Sequence, residues 1–265
     1  MPDGGTRGRS RSGASAAALQ QRLRDYPRQR PVPRPLARVH RDVIACERCP
    51  RLRSWCTAVA ETRRAAYRDE TYWARPVPGF GDAQARILVV GLAPAAHGAN
   101  RTGRVFTGDG LNGSGDFLLR AMHAAGLANR TSSSHPDDGL QLHDAYIAAA
   151  VRCAPPDNKP LPIELETCLV HLDNEWRALP RVRVVVVLGR FAYDAWCRLL
   201  ARRGTRPGPR TFAHGQVLPP PAPGLPGVVQ SYHPSRQNTH TGRLTDAMLA
   251  GVFAAARDLA DAPPG

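Results

Sequence analysis

The chain has 265 residues and a mass of 28.7 kDa, enough for one sizeable α/β domain and little more. No apolar run approaches the ~20 residues that a membrane-spanning helix needs. The N-terminus also lacks the apolar segment and small-residue cleavage site of a secretory signal. These features argue against a membrane or secreted protein, and we expect a cytoplasmic one.

The formal net charge is +14, and the isoelectric point of the sequence is near 10.6. Such a balance predicts a polyanion as partner, with nucleic acid as the commonest candidate. Lys159 is the only lysine, so arginine carries nearly all of the positive charge. A codon bias towards GC replaces lysine with arginine, but it does not by itself create an excess of basic residues. The charge therefore still favours nucleic-acid binding.

The chain begins with a basic segment, residues 1–36, that is rich in Arg, Gly, Ser and Pro and poor in large apolar side chains. Such a segment cannot bury enough surface to offset its ordering entropy, so we predict a disordered tail. Its role is open between a loose DNA tether and an extension without function. Residues 37–265 are predicted to form one domain.

The rest of the chain alternates between helix-like and strand-like patterns. Apolar spacing predicts a helix over residues 39–64, broken near Pro50, and then a Pro- and Gly-rich loop over residues 72–82. Short apolar runs predict buried strands at residues 86–90, 145–151, 182–188 and 227–231. Further helices are predicted at residues 117–127, 163–179, 191–202 and 242–259, with a Gly- and Pro-rich excursion at residues 203–226.

Strands that alternate with long helical segments indicate an α/β fold, in which helices cover both faces of a parallel sheet. Ligands of such sheets bind at the carboxyl ends of the strands. The loops that begin at Gly91, Cys153 and Tyr232 follow predicted strands. We therefore expect these loops to converge on one site.

Six cysteines in a cytosolic chain are not expected to form a disulfide framework. Four of them have the spacing of a metal centre: Cys46 and Cys49 form a C-x2-C pair, and Cys153 and Cys168 form a looser second pair. Four thiolates hold either zinc or a [4Fe–4S] cluster, and the loose second pair favours iron. Buried structural cysteines remain the alternative. Cys56 and Cys197 are predicted to pack in the core.

Two glycine-rich loops, residues 91–98 and 103–109, follow the first predicted strand. They match neither the P-loop nor the G-x-G-x-x-G pattern, so no nucleotide site is predicted. Asp109 is either a site carboxylate or a cap of the next helix, and Phe106 would ordinarily be a core residue. His233, directly after the last strand, is either a residue of the cleft or a structural histidine.

Taken together, these motifs closely resemble those of the family 5 (type b) uracil-DNA glycosylases, over residues 46–259. The matching segments are YWARPVPGFG at 72–81, GLAPAAHG at 91–98, NRTGR at 100–104, FTGD at 106–109, VRCAPP at 151–156, NKP at 158–160, SYHPSRQNT at 231–239 and TGRLT at 241–245. The resemblance implies a three-layer α/β/α domain with a central four-stranded parallel sheet. It also implies a [4Fe–4S] cluster on Cys46, Cys49, Cys153 and Cys168, and monofunctional base excision.

The resemblance assigns roles to individual residues of the site. Asp109 resembles the family's water-activating carboxylate, and Asn158 resembles its second polar active-site residue. His233 resembles the group that stabilises the leaving base, and Phe106 resembles the aromatic floor beneath it. Further substrate contacts are expected at Gly91, Ala93 and Ala95. After Asp109, residues 110–113 look like a lengthening of the family's loop that could displace this carboxylate.

The expected function is hydrolysis of the N-glycosidic bond of uracil in double- and single-stranded DNA, by a monomer. Leu92 and Ala93 are apolar where other branches of the superfamily place a carboxylate or an amide. Base selection should therefore be looser, and we expect hypoxanthine and xanthine to be accepted as well. The alternative is a non-catalytic iron–sulfur protein that binds nucleic acid. No histidine-bearing basic insert lies between Arg104 and Asp116, which argues against a member that traps DNA covalently.

Overall fold

The computed structural model describes residues 33–206 and 208–263. Its strands are β1 (Phe80–Gly81), β2 (Ile87–Gly91), β3 (Ala145–Ala149), β4 (Val184–Leu188), β5 (Val217–Leu218) and β6 (Gly227–Ser231). β3, β2, β4 and β6 pair in that order, all parallel. Every residue of these four strands is buried. Their continuous apolar runs are typical of strands that are covered on both faces.

The predicted four-stranded parallel sheet is the centre of a larger, mixed sheet. Within the described part of the chain the sheet has six strands, because β1 and β5 add antiparallel edges to β3 and β6. Each edge strand has two residues, which is too short to produce an alternating apolar pattern. Sequence patterns therefore place them in the loop at 72–82 and the excursion at 203–226.

Helices cover both faces of the sheet and give the three-layer α/β/α architecture. They are α1 (Arg34–Ile44), α2 (Pro50–Thr62), α3 (Ala99–Thr102), α4 (Ser114–Ala124), α5 (Pro162–Arg177), α6 (Arg190–Arg202), α7 (Arg236–His240) and α8 (Asp246–Asp261). Apolar side chains of α1, α2, α5 and α6 form one core with the sheet. Those of α4 and α8 form the second core on the opposite face. None of the helices in the described ranges is long and apolar enough to cross a membrane.

Two predicted boundaries need correction. Residues 34–36, assigned to the tail, form the first turn of α1, and Leu36 is buried. The remainder of the predicted tail, residues 1–32, lies outside the described residues. The closing helix begins at Asp246 rather than at residue 242, because the side chain of Thr245 caps it by accepting a hydrogen bond from the backbone N–H of Met248 (3.2 Å).

The strand register brings the predicted site loops to one edge of the sheet. Gly91 at the end of β2 pairs with Ala149 at the end of β3. Leu188 at the end of β4 pairs with Ser231 at the end of β6. The segments that follow these strands consequently leave the same edge, where parallel sheets bind their ligands.

Candidate active site

A cavity of about 750 Å³ lies at the carboxyl edge of the sheet. All seven residues predicted outside the cysteine set line it: Gly91, Ala93, Ala95, Phe106, Asp109, Asn158 and His233. The convergence expected from the strand order is thus observed.

The carboxylate of Asp109 is held at the start of α4. It accepts a hydrogen bond from the backbone N–H of Gly115, so Asp109 also acts as the cap considered above. A Cβ atom at Gly98 would lie 1.8 Å from Oδ1 of Asp109, so only glycine allows the carboxylate this place. Burial raises the pKa of Asp109 to about 6, while the hydrogen bond from Gly115 and the charge of Arg236 oppose the rise.

The lengthened loop after Asp109 does not remove this residue from the cavity. Residues 110–113 form a turn that is closed by a hydrogen bond from the backbone N–H of Gly113 to the carbonyl oxygen of Gly110 (2.9 Å). Both Asp109 and Gly113 line the cavity. The extra residues therefore project from a closed turn instead of displacing the carboxylate.

Phe106 forms part of the cavity wall and is only partly buried, so it is not a core residue. Its backbone has a φ of 52°, in the left-handed region that non-glycine residues rarely adopt. Its ring stacks on the imidazole of His233, with the ring centroids 6.2 Å apart and an interplanar angle of 29°. A Cβ atom at Gly91 would lie 3.1 Å from the Phe106 ring, and one at Gly115 would lie 2.2 Å from its carbonyl oxygen. The two glycines allow this close packing.

His233 follows β6 directly, and the side-chain amide of Asn238 donates a hydrogen bond to its carbonyl oxygen (2.8 Å). Burial lowers the pKa of His233 to about 4, so the imidazole is neutral at pH 7. A neutral imidazole has one N–H donor and one acceptor nitrogen. His233 can therefore offer a hydrogen bond to the cavity without bringing in a charge.

Asn158 reaches the cavity from the 3-10 turn Pro156–Asn158 that follows Cys153. Both Asp157 (φ 53°) and Asn158 (φ 57°) lie in the left-handed region. Strained backbone of this kind concentrates at functional sites. Asn158 is exposed, and its position is at the mouth of the cavity rather than at the floor.

Sequence reasoning missed three basic side chains in the cavity wall: Arg64, His97 and Arg236. The hydroxyl group of Tyr72 is hydrogen-bonded to Nδ1 of His97 (3.0 Å). His97 and Arg236 stand inside the motifs that carry the family resemblance, so the motifs were the available signal. Arg64 lies outside these motifs, and nothing in its local pattern marks it.

The segment that bears Phe106 and Asp109 is supported by a buried arginine, Arg104. Its guanidinium donates to Oγ1 of Thr107 (2.9 Å), to Oγ of Ser133 (2.6 Å) and to the carboxylate of Asp138 (2.6 Å). The backbone N–H of Gly108 donates to the carbonyl oxygen of Ser133 (2.9 Å). These bonds connect residues 104–108 to residues 133–138 and so fix the segment that bears Phe106 and Asp109.

The four predicted metal-ligating cysteines come from three parts of the fold. Cys46 and Cys49 lie between α1 and α2, Cys153 follows β3, and Cys168 lies in α5. All four are free thiols. The charges of Cys46 and Cys49 act on the pKa of Cys168, and the charge of Cys168 acts on that of Cys153, so the four occupy one neighbourhood.

The chemistry of this neighbourhood fits a thiolate-bound group. Burial raises the pKa of the Cys49 and Cys168 thiols, the latter to about 12, so their thiolates need a positive partner. The backbone N–H of Arg152 donates to Sγ of Cys168 (3.2 Å). Among the described residues, no three His, Cys, Asp or Glu side chains are placed to hold a single metal ion.

The other two cysteines differ from each other. Cys56 is fully buried, as predicted, but its thiol is hydrogen-bonded to that of Cys153. Cys56 thus belongs to the first core, as predicted, at the point where this core borders the predicted ligand set. Cys197 is partly buried against the first core and hydrogen-bonds to Tyr193.

The sequence model of the uracil DNA glycosylase superfamily matches residues 78–257 of the chain. A type-5 uracil-DNA glycosylase of Thermus thermophilus is 52% identical over 218 residues, which cover 82% of this chain and 95% of that protein. The type-5 enzyme of Mycobacterium tuberculosis is 49% identical over 221 residues, 82% of this chain and 79% of its own. The type-5 enzyme of Pyrobaculum aerophilum is 45% identical over 211 residues, which cover 80% of this chain and 87% of that protein. The chain therefore belongs to the uracil-DNA glycosylase superfamily, within the group of the type-5 enzymes.

Proposed function

We propose that this protein is a monofunctional DNA glycosylase, which hydrolyses the bond between uracil and its deoxyribose in DNA and so begins base excision repair. The observation that carries the proposal is the meeting of Asp109, Asn158, His233 and Phe106 in one cavity. The family and its named relatives supply the substrate. The net charge of +14 suits a polyanionic partner.

The cavity has the dimensions to accept one nucleotide, since small-molecule sites measure about 300–1,000 Å³. An N-glycosidic bond inside a duplex is inaccessible, so the target nucleotide must rotate out of the stack. The Phe106 ring offers a flat apolar surface on which the flipped base can stack. The glycine at position 91 keeps this surface close to the end of β2.

Cleavage of the bond leaves positive charge on the sugar and negative charge on the departing base. The neutral imidazole of His233 supplies an N–H donor for a carbonyl oxygen of the base as this charge develops. Asp109 is mainly anionic above pH 6, so it stabilises the sugar cation and orients a water molecule towards it. The water oxygen bonds to the sugar carbon, the electrons of the broken bond stay on the base, and the proton of the water passes to Asp109. Asn158 at the mouth offers an amide to this water or to the sugar.

The proposed reaction is hydrolysis without strand cleavage. A combined lyase would need an amine to form a Schiff base with the sugar. The only lysine of the sequence is Lys159, and none lines the cavity among the described residues. The nucleophile that attacks the sugar cation is therefore a water molecule.

The apolar walls of the cavity support a broader choice of bases. Leu92, Ala93 and Ala95 line it and offer no side-chain hydrogen bond that would distinguish uracil. A pocket without such groups rejects related bases weakly, because no buried polar group is left unpaired. Hypoxanthine and xanthine are thus included as substrates.

The proposal includes a [4Fe–4S] cluster on Cys46, Cys49, Cys153 and Cys168, supported by the shared neighbourhood of the four thiols. These residues join the α1–α2 segment to β3 and α5, so the cluster would clip the N-terminal helices to the sheet. Its contribution when bound is structural, through thiolate coordination. A monomer in the cytoplasm that acts on both double- and single-stranded DNA completes the proposal.

The test is single-turnover excision from oligonucleotides that contain uracil or hypoxanthine, with abasic products revealed by alkali. The wild type should release both bases. Asp109→Asn should slow both reactions, and His233→Gln should slow release by about 10²–10³, the usual value of one donor to a developing anion. Asp137→Asn and His123→Gln, at exposed positions outside the cavity, are matched controls. A non-catalytic DNA-binding protein would release no base in any variant.

A further inference from the structure

Two basic side chains next to the predicted cluster ligands are buried with donors that have no acceptor. Both ring nitrogens of His171 lack a hydrogen-bond partner among the described residues, and the side chain is only 1% exposed. The same holds for Nε and Nη1 of Arg152, whose side chain is equally buried. A buried N–H group without an acceptor costs free energy, so each of these groups calls for a partner.

The fold places His171 beside the segments that carry the cysteines. His171 follows Cys168 by three residues in α5, so the two side chains share one face of this helix. Burial lowers the pKa of His171 to about 3, and the charges of Arg152 and Arg48 lower it further, so both guanidinium groups lie near the imidazole. Arg48 stands within the C-x2-C pair, and Arg152 directly precedes Cys153. The imidazole therefore borders the neighbourhood of the four thiols.

The other groups of Arg152 fix its position in the same neighbourhood. Its backbone N–H donates to Sγ of Cys168 (3.2 Å), and its Nη2 donates to the buried carboxylate of Glu175 (2.7 Å). Glu175 also accepts hydrogen bonds from the backbone N–H of Gly79 (2.8 Å) and from the hydroxyl group of Tyr146 (3.3 Å). Glu175 thus pairs with Nη2 alone, and Arg152 keeps unpaired donors in the residue that contacts Cys168.

A cluster on the four cysteines would supply the acceptors that these donors lack. With four thiolates, a [4Fe–4S] group has a net negative charge and sulfur atoms that accept hydrogen bonds from N–H groups. Its net charge and the hydrogen bonds to its sulfur atoms are among the factors that set its reduction potential. The apolar side chains of the first core offer no such acceptor.

We propose that His171 donates a ring N–H to a sulfur atom of the cluster, and that this donor, beside the positive charge of Arg152, raises the reduction potential of the cluster. The inference rests on the cluster included in the proposed function. Reduction adds one electron, so a nearby donor and a nearby positive charge stabilise the reduced form more than the oxidised form. His171 is not among the residues that line the active-site cavity, so it acts on the cluster and not on the substrate.

The test measures the one-electron reduction potential of the full chain by mediated titration at an electrode, with the reduced cluster followed by electron paramagnetic resonance. His171→Phe, which keeps a flat ring without a donor, should shift the reduction equilibrium about tenfold towards the oxidised form, or about 59 mV for one electron. His171→Leu, which also lacks a donor but is smaller, should give the same shift. His171→Gln, which keeps an N–H donor, should recover most of it.

His40→Gln is the matched control, because His40 is a buried histidine that already has a partner, the hydroxyl group of Tyr146 (2.8 Å). This change should lower the melting temperature and leave the potential as in the wild type. Iron analysis shows which variants retain the cluster. An unchanged potential in the two donor-free variants, or an equal shift in His40→Gln, would overturn the inference.

The same measurements separate this inference from the proposed function. Wild-type protein that holds no iron would overturn the inference together with the proposed cluster. Iron retained without the shift would overturn the inference alone and leave base excision unaffected. Iron retained with the shift, in a wild type that excises no base, would support the role of His171 and contradict the proposed glycosylase.

Discussion

Burial and hydrogen bonding act in opposite directions on the carboxyl group of Asp109. Burial alone would favour the neutral acid, whereas the N–H of Gly115 and the charge of Arg236 favour the anion. The balance puts the pKa of Asp109 at about 6, so the anion needed in the proposed reaction prevails at pH 7 by a narrow margin. The imidazole of His233, with a pKa near 4, stays neutral over the same range.

Because the pKa of Asp109 is only about one unit below pH 7, we predict that the rate of excision falls on the acid side of its pH profile. As the pH falls through about 6, Asp109 becomes protonated, and the rate should fall by about tenfold per pH unit. Bound DNA phosphates favour the protonated form, so the midpoint should lie at or above this value. Single-turnover rates between about pH 5 and pH 8 measure this fall. Asp109→Asn should be slow and show no such fall, and a fall retained in that variant would assign it to another group.

The place of the carboxylate depends on the absence of a side chain at Gly98. In Gly98→Ala the new Cβ atom would lie 1.8 Å from Oδ1, so the carboxylate must move. A displacement of about 1 Å costs about 10²-fold in rate, and excision should fall by that factor while DNA affinity changes little. Gly251→Ala in α8 is the control, because nothing lies within 4 Å of its Cβ position. Near-full activity of Gly98→Ala would show that the chemistry does not need Asp109 in its present place.

Motifs located the site residues along the sequence, but they did not reveal how these residues are held. The left-handed backbone of Phe106 has no local signal, because phenylalanine rarely adopts it, whereas Asn158 is of a residue type that does. Arg104 lies in a recognised motif, yet its partners at Ser133 and Asp138 are about 30 residues away. Such contacts arise from tertiary packing, which apolar periodicity does not encode.

At the scale of elements, apolar periodicity predicted the long helices and the buried strands within a few residues. It failed where composition and conformation disagree. Arg34 and Pro35 belong to a Pro- and Arg-rich stretch, but proline is well suited to the first turn of a helix, and α1 begins there. The short helices α3 and α7 bury too few apolar residues to show a period.

The three elements that carry the cysteines lead to a prediction for metal content. Anaerobically purified protein should contain about four irons per chain and absorb in the blue, as [4Fe–4S] proteins do. Variants with serine at Cys46, Cys49, Cys153 or Cys168 should lose iron and melt at a lower temperature. The reason is that the cluster would no longer connect α1 and α2 to β3 and α5. Cys197→Ser should retain the iron. Stoichiometric zinc in the wild type would contradict the cluster.

Cys56→Ser is the more demanding comparison, because its thiol is hydrogen-bonded to Cys153. We expect this variant to keep its iron, since Cys56 lies outside the predicted ligand set. Loss of iron in Cys56→Ser together with retention in Cys153→Ser would exchange the roles of the two residues. Iron analysis and the visible spectrum of both variants decide between these outcomes.

For the whole molecule, the order of strands and helices was enough to predict where the site forms. Parallel strands place their carboxyl ends together, so the segments after β2, β3 and β6 had to meet. The depth of the cavity and the edge strands could not be predicted, because both depend on how loops of irregular sequence pack. The wall contributed by Arg64 is such a case.

The distribution of charge over the whole chain predicts how DNA affinity depends on salt. Residues 1–32 contain seven arginines and two aspartates, so a chain without them keeps a net charge of +9. Removal should stop before Pro33, because α1 begins at Arg34. Log affinity for a non-specific duplex should fall linearly with log salt concentration, with a slope of about −0.9 for each phosphate neutralised. The shortened chain should show a shallower slope and weaker binding at low salt. Its single-turnover excision with saturating enzyme should match that of the full chain, and an unchanged slope would show that the segment makes no contact with DNA.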